Sequence, residues 1–373
     1  MSTTTSTGVN ANLKTLTDAG VSVWLDQIST TLLAGGELAR MVAQDSLRGV
    51  TSNPSIFEKA IVATTDYDDL IETLAGQGED ARAIYDAIAV GDVQRASDVL
   101  RPVFEGSGGH DGFVSLEVQP DLAADGDATL ESARSYWGAV DRPNVMIKIP
   151  GTPEGVGAIE QAIYEGLNIN VTLLFSVAAY QAIAEAYIRG LERRRAEGKP
   201  LHPRSVASFF VSRVDTKVDK QLEAIGGDAT ALAGTAAIAN ARHAYARFKE
   251  IFAGERWDTL AAAGAAVQRP LWASTGTKNP AYSDTLYIDQ LIAPHTVNTM
   301  PLTTLRAVAD HGTVVGTTAE LDYAADLAAL ERVGIDMEKV TAELLVEGVK
   351  QFVDAQTSLL AGIEQRRAAI AQR

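Results

Sequence analysis

The chain has 373 residues, 46% of them hydrophobic, so it is long enough to bury one large core or two modest ones. Its formal net charge of -16 argues against a nucleic-acid-binding protein or a polybasic membrane-surface protein, because both need clustered lysines and arginines. It contains no cysteine, which excludes disulfides, thiolate nucleophiles and cysteine-ligated metals.

The first residues, Met1–Asn12, are rich in Ser, Thr and Gly. We therefore expect a flexible tail over residues 1–12, followed by a single domain over residues 13–373. The start lacks the basic and apolar regions of a secretory signal, and no stretch approaches the roughly 18 apolar residues of a membrane span. These features predict a cytoplasmic protein.

Short runs rich in Val, Ile and Phe alternate with longer Ala-rich runs of helical spacing, which is the pattern of repeated βα units. Eight such runs predict strands, and eight strands alternating with helices predict an α/β fold, a single closed (β/α)8 TIM barrel. The predicted strands are Ser22–Asp26, Gly49–Asn53, Phe113–Val118, Asn144–Pro150, Ile169–Phe175, Val206–Val214, Leu271–Thr275 and His295–Met300.

The last predicted element is a helix of some thirty residues, from Met337 towards Arg373, which we expect to pack across the barrel. Gly348 lies inside it and costs the helix roughly 1 kcal/mol relative to Ala. A local bend or a close packing contact is therefore expected at Gly348. The apolar side of this helix is predicted to carry Ala342, Leu345, Val349, Phe352, Leu359 and Ile363.

Polar side chains stand near the carboxyl ends of several predicted strands, which all meet at one rim of a parallel barrel. Because side chains alternate along a strand, Asn170 and Thr172 share one face of the fifth strand, and Ser208 and Phe210 share one face of the sixth. The first four strands end near Asp26, Asn53, Glu117 and Lys148. Their convergence predicts a polar site at this rim.

Lys148 lies between branched apolar residues, where an ammonium group loses hydration. Burial disfavours the charged form, and a neutral amine is the species that attacks a ketone carbonyl. A structural ion pair with a carboxylate such as Glu117 is the alternative. In an imine mechanism Glu117 and Asp26 could divide the proton transfers, Asn53 and Asn170 could bind sugar hydroxyls, and Thr172 or Ser208 could hold a water.

Two cations suit a phosphate group: Arg213 at the end of the sixth predicted strand, and Lys278 in a Gly-containing loop after the seventh. Arg213 could instead form an ion pair with Asp215 or Asp219, and Lys278 could be a solvated loop charge. The five histidines are scattered along the chain, and the run Gly106–Gly109 lacks the ending of a P-loop. The residues themselves therefore give no support for a dedicated zinc site or a P-loop.

Three segments together resemble the signatures of the transaldolase family: GVTSNPS at Gly49–Ser55, VMIKIPGT at Val145–Thr152 and NINVTLLFS at Asn168–Ser176. The run SFFVSR at Ser208–Arg213 is similar to the family's phosphate-side strand. The resemblance covers most of the chain and is closer to the longer bacterial subgroup. One departure is that Lys278 stands where many members have a second phosphate-binding arginine.

The resemblance implies a cofactor-free barrel that passes a dihydroxyacetone unit from sedoheptulose 7-phosphate to glyceraldehyde 3-phosphate, in the non-oxidative pentose phosphate pathway. The implied Schiff-base nucleophile is Lys148, Glu117 is the acid/base acting through a water near Thr172, and Asp26 is the base at cleavage. Substrate contacts are implied for Asn53, Asn170, Ser208, Phe210, Arg213 and, loosely, Lys278.

Two other classes of protein compete with this hypothesis. One is another phosphate-binding barrel enzyme, either an isomerase or a simple aldolase that releases dihydroxyacetone to water. The other is a non-catalytic barrel kept for binding or assembly, which would be expected to have lost part of the site. We expect sugar phosphates as partners, no nucleic acid, no membrane, and a monomer or homodimer.

Overall fold

A computed structural model of the chain describes residues 8–370. Eight parallel strands pair in chain order, and the eighth pairs with the first, so the sheet closes into a barrel and the predicted fold is confirmed. The strands are β1 (Val21–Leu25), β2 (Leu47–Thr51), β3 (Phe113–Glu117), β4 (Val145–Pro150), β5 (Ile169–Leu174), β6 (Ser205–Phe210), β7 (Arg269–Ala273) and β8 (Thr296–Met300).

Each strand is followed by at least one helix, which packs on the outside of the barrel or near its rim. The helices are α1 (Ala11–Asp18), α2 (Thr30–Ala34), α3 (Glu37–Gln44), α4 (Pro54–Val62), α5 (Asp68–Gly76), α6 (Ala81–Gly106), α7 (Gly126–Val140), α8 (Gly155–Glu165), α9 (Val177–Ala196), α10 (Ser212–Ile225), α11 (Ala236–Ile251), α12 (Glu255–Ala262), α13 (Leu286–Asp289), α14 (Leu302–His311), α15 (Ala324–Arg332) and α16 (Met337–Ile370). Within residues 8–370, no helix is long and apolar enough to cross a membrane.

The strands are buried on both faces, as expected where helices cover a parallel sheet from outside and side chains fill the barrel from inside. Every residue of β3, β4, β5 and β6 is buried. Apolar side chains can be buried on both faces at low cost, whereas buried polar groups need hydrogen-bond partners. The polar residues at the strand ends therefore mark the region where a site can lie.

The predicted N-terminal tail is shorter than expected. Helix α1 begins at Ala11, and Asn10 caps it by accepting a hydrogen bond from the backbone N–H of Leu13 at 3.1 Å. The Asn10 amide also donates to the carbonyl of Ala309 at 3.0 Å, which ties this segment to α14. Order therefore begins before residue 13, and the remaining part of the predicted tail, residues 1–7, lies outside the described residues.

The sixth strand ends earlier than predicted. Its predicted range Val206–Val214 contains a change of backbone conformation at Val211 (φ -104°, ψ -72°), and α10 begins at Ser212. The alternation of apolar residues continues past Phe210 and resembles a strand, but Val211 is the residue before α10 and Val214 lies in its first turn, and both side chains are buried. Arg213 consequently stands in the first turn of α10 and not at the end of a strand.

Helix α16 lies across the carboxyl end of the barrel, as predicted. It packs on α4, α5, α6 and α10 and contacts β5. At Gly348 an added Cβ would lie 3.0 Å from a methyl group of Leu173, so the close contact expected there is present. The predicted apolar side is partly wrong, since Ala342 is exposed and Leu344 is buried in its place, but Phe352 is buried and reaches the barrel mouth.

Candidate active site

A pocket of about 370 Å³ opens at the carboxyl ends of the strands, beneath α16. Because the parallel strands end at this rim, their last side chains meet although they are far apart in sequence. Eight of the ten predicted site residues line the pocket: Asp26, Asn53, Lys148, Thr172, Ser208, Phe210, Arg213 and Lys278. The other two, Glu117 and Asn170, lie directly behind its wall.

Lys148 is held by β4 and is 4% exposed. Its ammonium group donates to the carbonyl of Ser52 at 2.9 Å, and its Nζ lies 3.0 Å from Oε2 of Glu117. The pairing of β3 with β4 places Glu117 and Lys148 side by side. Lys148 therefore has features of both a reactive amine and a structural ion pair, since it faces the pocket and also contacts a buried carboxylate.

The two candidate proton-transfer groups are both carboxylates with a raised pKa. Burial raises the pKa of Glu117, and the nearby Lys148 ammonium partly opposes this increase. Burial also raises the pKa of Asp26, again opposed by Lys148 and by a hydrogen bond of 2.6 Å from the Thr51 hydroxyl. A raised pKa makes a carboxylate a better base and lets it hold a proton closer to neutral pH.

Several buried polar atoms at the base of the pocket have no hydrogen-bond partner of good geometry within the described residues. They are both carboxylate oxygens of Glu117 and the hydroxyl of Thr172. Glu117 Oε2 lies 3.0 Å from Lys148 Nζ, as an ion pair without hydrogen-bond geometry. Since buried polar groups in proteins are nearly always satisfied, this corner has the chemistry to hold a water or a substrate hydroxyl.

Asn170 is completely buried and supports the pocket from behind. Its amide group donates to the Ser115 hydroxyl at 3.0 Å, and its carbonyl oxygen accepts from the Ser208 hydroxyl at 2.7 Å. Asn53 differs, because it lines the pocket while its side chain caps α4 by accepting from the backbone N–H of Ile56 at 3.0 Å. Asn170 is placed to orient Ser208, and Asn53 to face a ligand.

Arg213 points into the pocket from the start of α10. Its guanidinium lies 5.3 Å from the centre of the Phe210 ring and 5.9 Å from that of Phe352. The alternative ion pairs do not form, since Asp215 accepts from Ala237 and Tyr287, and Asp219 accepts from Gly234 and Tyr282. Burial lowers the pKa of Arg213, an effect that nearby carboxylates oppose. It remains a cation held between two aromatic rings.

Five polar residues that line the pocket were not predicted from the sequence: Thr51, Ser55, Lys59, Ser274 and Thr299. Lys59 reaches the pocket from α4, and Ser274 follows β7. The helical spacing from Ser55 to Lys59 puts both on one face of α4, so a helical wheel drawn from the Asn53 cap would have identified that lysine. Within residues 8–370, no cluster of three or more His, Cys, Asp or Glu residues is arranged to hold a metal ion.

The fold and the site define an enzyme of the (β/α)8 barrel class, with a buried lysine beside the carboxylate of Glu117 and further cations that line the pocket. Residues 23–363 match the family described as Transaldolase/Fructose-6-phosphate aldolase. The chain belongs to this family.

Curated relatives are similar to this chain over nearly its whole length. The transaldolase of Thermobifida fusca (strain YX) is 51% identical, over 96% of this chain and 98% of the relative. Transaldolase 1 of Streptomyces avermitilis is 50% identical, over 94% of each chain. The transaldolase of Mycolicibacterium paratuberculosis is 50% identical, over 95% of this chain and 96% of the relative.

Proposed function

We propose that this protein is a transaldolase, a transferase that moves a dihydroxyacetone unit from sedoheptulose 7-phosphate to glyceraldehyde 3-phosphate. The products are erythrose 4-phosphate and fructose 6-phosphate, in the non-oxidative pentose phosphate pathway. The observation that carries the proposal is Lys148 itself, a buried lysine that faces the pocket with its Nζ 3.0 Å from Glu117. The names of the relatives support the same reaction.

The contact between Lys148 and Glu117 supplies the first step of the mechanism. Glu117 Oε2 lies 3.0 Å from Lys148 Nζ and burial raises the pKa of this carboxyl, so Glu117 can take a proton from the ammonium through a water held near Thr172 and leave a neutral amine. The amine adds to the ketone carbonyl and forms a carbinolamine. Glu117 then returns the proton, through a water held near Thr172, to the departing hydroxyl, so that water leaves and an iminium ion remains.

Asp26, which lines the pocket, is the group that we assign to the next proton transfer. It takes the proton from the hydroxyl on the carbon that becomes the aldehyde of the leaving aldose phosphate, as the bond between this carbon and the three-carbon unit breaks. The electron pair of the broken carbon–carbon bond becomes an enamine on the remaining three-carbon unit. Addition of the enamine to the acceptor aldehyde runs these steps in reverse, and hydrolysis of the new imine restores Lys148.

Cations at the pocket mouth suit the phosphate of both sugars. Arg213 offers a planar fork of donors, fixed by the Phe210 ring, while Lys278 and Lys59 supply further positive charge. Ser208, held by Asn170, adds a hydroxyl. Among the described residues that line the pocket, Asp26 provides the one carboxylate, so the local field attracts an anion despite the net charge of -16.

The covering of the pocket favours a transferase over a simple aldolase. Phe352 of α16 lies on the pocket, with its ring centre 5.8 Å from Lys148 Nζ. An apolar side chain at this distance shields the enamine from water until an acceptor aldehyde arrives. A simple aldolase would instead have to admit water and release dihydroxyacetone.

Borohydride reduction in the presence of fructose 6-phosphate tests the mechanism, because it converts a transient imine into a stable secondary amine. We expect an adduct of dihydroxyacetone size on the peptide that carries Lys148, and loss of turnover in Lys148→Ala. The matched control is Lys59→Gln, which removes a different lysine of the same pocket and should keep the adduct. An adduct on another lysine, or none in folded protein with bound substrate, contradicts the proposal.

A transfer assay then separates the two reactions of the family. With fructose 6-phosphate alone, the transferase should release glyceraldehyde 3-phosphate only up to one equivalent per enzyme. Addition of erythrose 4-phosphate should restore continuous turnover. Continuous release without an acceptor would identify a simple aldolase. We further expect a cytoplasmic monomer or homodimer that needs no cofactor and binds neither nucleic acid nor membranes.

A further inference from the structure

A second cavity, of about 540 Å³, lies at the opposite end of the barrel, where the strands begin. Phe113, Ser205 and Arg269 are the first residues of β3, β6 and β7, and all three line it. None of its lining residues lines the candidate active site. The cavity is therefore a separate feature of the fold, and nothing in the proposed reaction uses it.

Basic side chains gather around this cavity. Arg204, Arg269, His110 and His295 line it, and none of the described lining residues carries a carboxylate. Such a wall is unexpected in a chain with 48 acidic and 32 basic residues, because a random stretch of its surface would be acidic. The cavity therefore presents a local positive field to a small molecule that enters it.

The positive charge at this end is only partly compensated. Arg269 has a carboxylate neighbour, Asp111, whose Oδ1 lies 3.5 Å from the guanidinium. Asp111 also accepts hydrogen bonds from the Ser22 hydroxyl at 2.5 Å and from the Trp24 indole at 3.1 Å. Its negative charge is thus shared among several donors, and the distance to Arg269 is long for an ion pair.

Arg204 has no carboxylate within 4 Å among the described residues. Its guanidinium donates to the backbone carbonyls of Gly109 at 3.2 Å and Leu201 at 3.4 Å, which hold it in place without neutralising it. Burial, followed by the charges of Arg204 and Arg269, lowers the pKa of His110. Two fixed guanidinium groups facing one cavity are the donor arrangement that phosphate oxygens accept in pairs.

The remaining wall of the cavity is apolar and partly aromatic. Trp257 and Ala261 stand one turn apart on α12, and the same cavity is lined by Val267, which precedes β7, and by Phe113 of β3. The Trp257 ring is fixed by an edge contact with Phe252, with ring centres 4.8 Å apart. Trp257 is only 6% exposed, so it is the apolar wall as a whole, beside the cationic pair, that suits a ligand with a flat apolar ring as well as an anionic group.

We propose that this cavity binds a small phosphorylated molecule with a flat, weakly polar ring, the chemistry of a nucleoside monophosphate. Arg204 and Arg269 hold the phosphate, and the ring lies against the apolar wall near Trp257. The volume falls within the usual range for sites of small organic ligands. Because the site lies at the far end of the barrel, its ligand and the sugar-phosphate substrates bind without excluding each other.

Titration calorimetry of the full chain with adenosine monophosphate tests this site. We expect binding that Arg204→Gln and Arg269→Gln each weaken by about tenfold or more, because each removes a charge-assisted contact to phosphate. Two matched controls remove one arginine elsewhere: Arg332→Gln on the exposed end of α15 and Arg213→Gln in the active-site pocket. Neither control should change the affinity.

Inorganic phosphate and adenosine, titrated separately, should each bind at least tenfold more weakly than the monophosphate. If phosphate or adenosine binds as tightly as the monophosphate, the assignment of a ligand that has both a phosphate and a ring is wrong. Photolabelling of the unmodified chain with 8-azidoadenosine monophosphate covers the case in which a variant fails to fold, and the label should fall within residues 255–269. Labelling elsewhere, no measurable binding, or an affinity unaffected by both arginine variants contradicts the proposal whether or not the chain is a transaldolase.

Discussion

Two properties of Arg213 suit it to bind a phosphate. It is a cation, and its planar group is fixed between the rings of Phe210 and Phe352. The neighbouring acids Asp215 and Asp219 have other partners, so the guanidinium is free to bind a phosphate. A lysine at this position would keep the charge but lose both the fork of donors and the stacking.

We therefore predict that Arg213→Ala raises KM for fructose 6-phosphate and lowers kcat/KM by about 10- to 100-fold, the range of one hydrogen-bonded charge contact. Arg213→Lys should give an intermediate loss, and the surface variant Arg332→Ala should give none. Steady-state kinetics with erythrose 4-phosphate as acceptor measures all three. An unchanged KM in Arg213→Ala would show that the phosphate binds elsewhere.

Residue types and strand ends were enough to predict eight of the residues that line the pocket. Lys148, Asp26 and Thr172 stand at the carboxyl ends of strands, and the rule for parallel barrels brings such positions together. Sequence alone did not show that Asn170 lies behind the wall, because alternation gives the face of a strand but not the depth of a side chain. Lys59 was not predicted because it comes from a helix, whereas the predicted residues lie at strand ends or in the loops that follow them.

At the scale of elements, the strands were predictable because a parallel barrel demands continuous buried apolar runs. The main error, at the end of β6, has a local cause. Val211 and Val214 keep an apolar spacing that fits a strand, and the change to a helix depends on the backbone at Val211. The residue ahead of α10 offers no side-chain cap, so the usual sequence signal for a helix start is missing.

Gly49 in β2 shows that a large side chain on one strand can limit the size of the residue on its neighbour. A Cβ at this position would lie 2.4 Å from the ring of Trp24, which is fully buried in β1. The indole cannot move easily, since its N–H donates to the Ser22 hydroxyl at 2.9 Å and to Asp111. Only a residue without a side chain fits beside this ring.

Gly49→Ala should lower the free energy of unfolding by about 1–3 kcal/mol, the usual cost of overpacking a core. Urea unfolding followed by tryptophan fluorescence measures this loss. The matched control is Gly91→Ala, inside α6, where an added Cβ meets nothing within 4 Å. Ala is the better helix former, so the control should be neutral or stabilising. Equal effects of the two changes would mean that the Trp24 contact is unimportant.

At the scale of the whole molecule, the linear sequence does not show how charged residues are distributed in the folded barrel. The five histidines, interpreted as scattered, are not all scattered in space, since His110 and His295 line the cavity at the amino end of the barrel. His202 belongs to the same region, where burial and neighbouring arginines lower its pKa. An acidic molecule thus carries positive regions at both ends of its barrel. The linear sequence does not predict these positive regions, because residues distant in sequence come together at each end only when the barrel closes.

Burial of carboxyl groups also links the stability of the whole barrel to pH. Asp215 lies in the first turn of α10, where burial raises its pKa from the ordinary value of 3.8 to about 6. The folded chain therefore holds this proton more tightly than the unfolded chain. Its contribution to stability is fully present below pH 3.8 and is lost as pH rises through about 6, and the loss amounts to about 3 kcal/mol at roughly 1.4 kcal/mol per pKa unit.

We predict that Asp215→Asn reduces the dependence of unfolding free energy on pH between about pH 4 and pH 7, because the amide does not titrate. Urea unfolding across this range, compared between the two chains, isolates Asp215 from the many exposed carboxylates. Tyr287→Phe tests the sign, since it removes the 2.7 Å hydrogen bond that lowers the pKa of Asp215. That variant should lose stability at a higher pH than the unmodified chain does. If Asp215→Asn keeps the full pH dependence, another buried acid controls it, and Asp86 and Asp92, whose pKa values burial also raises, become the groups to replace next.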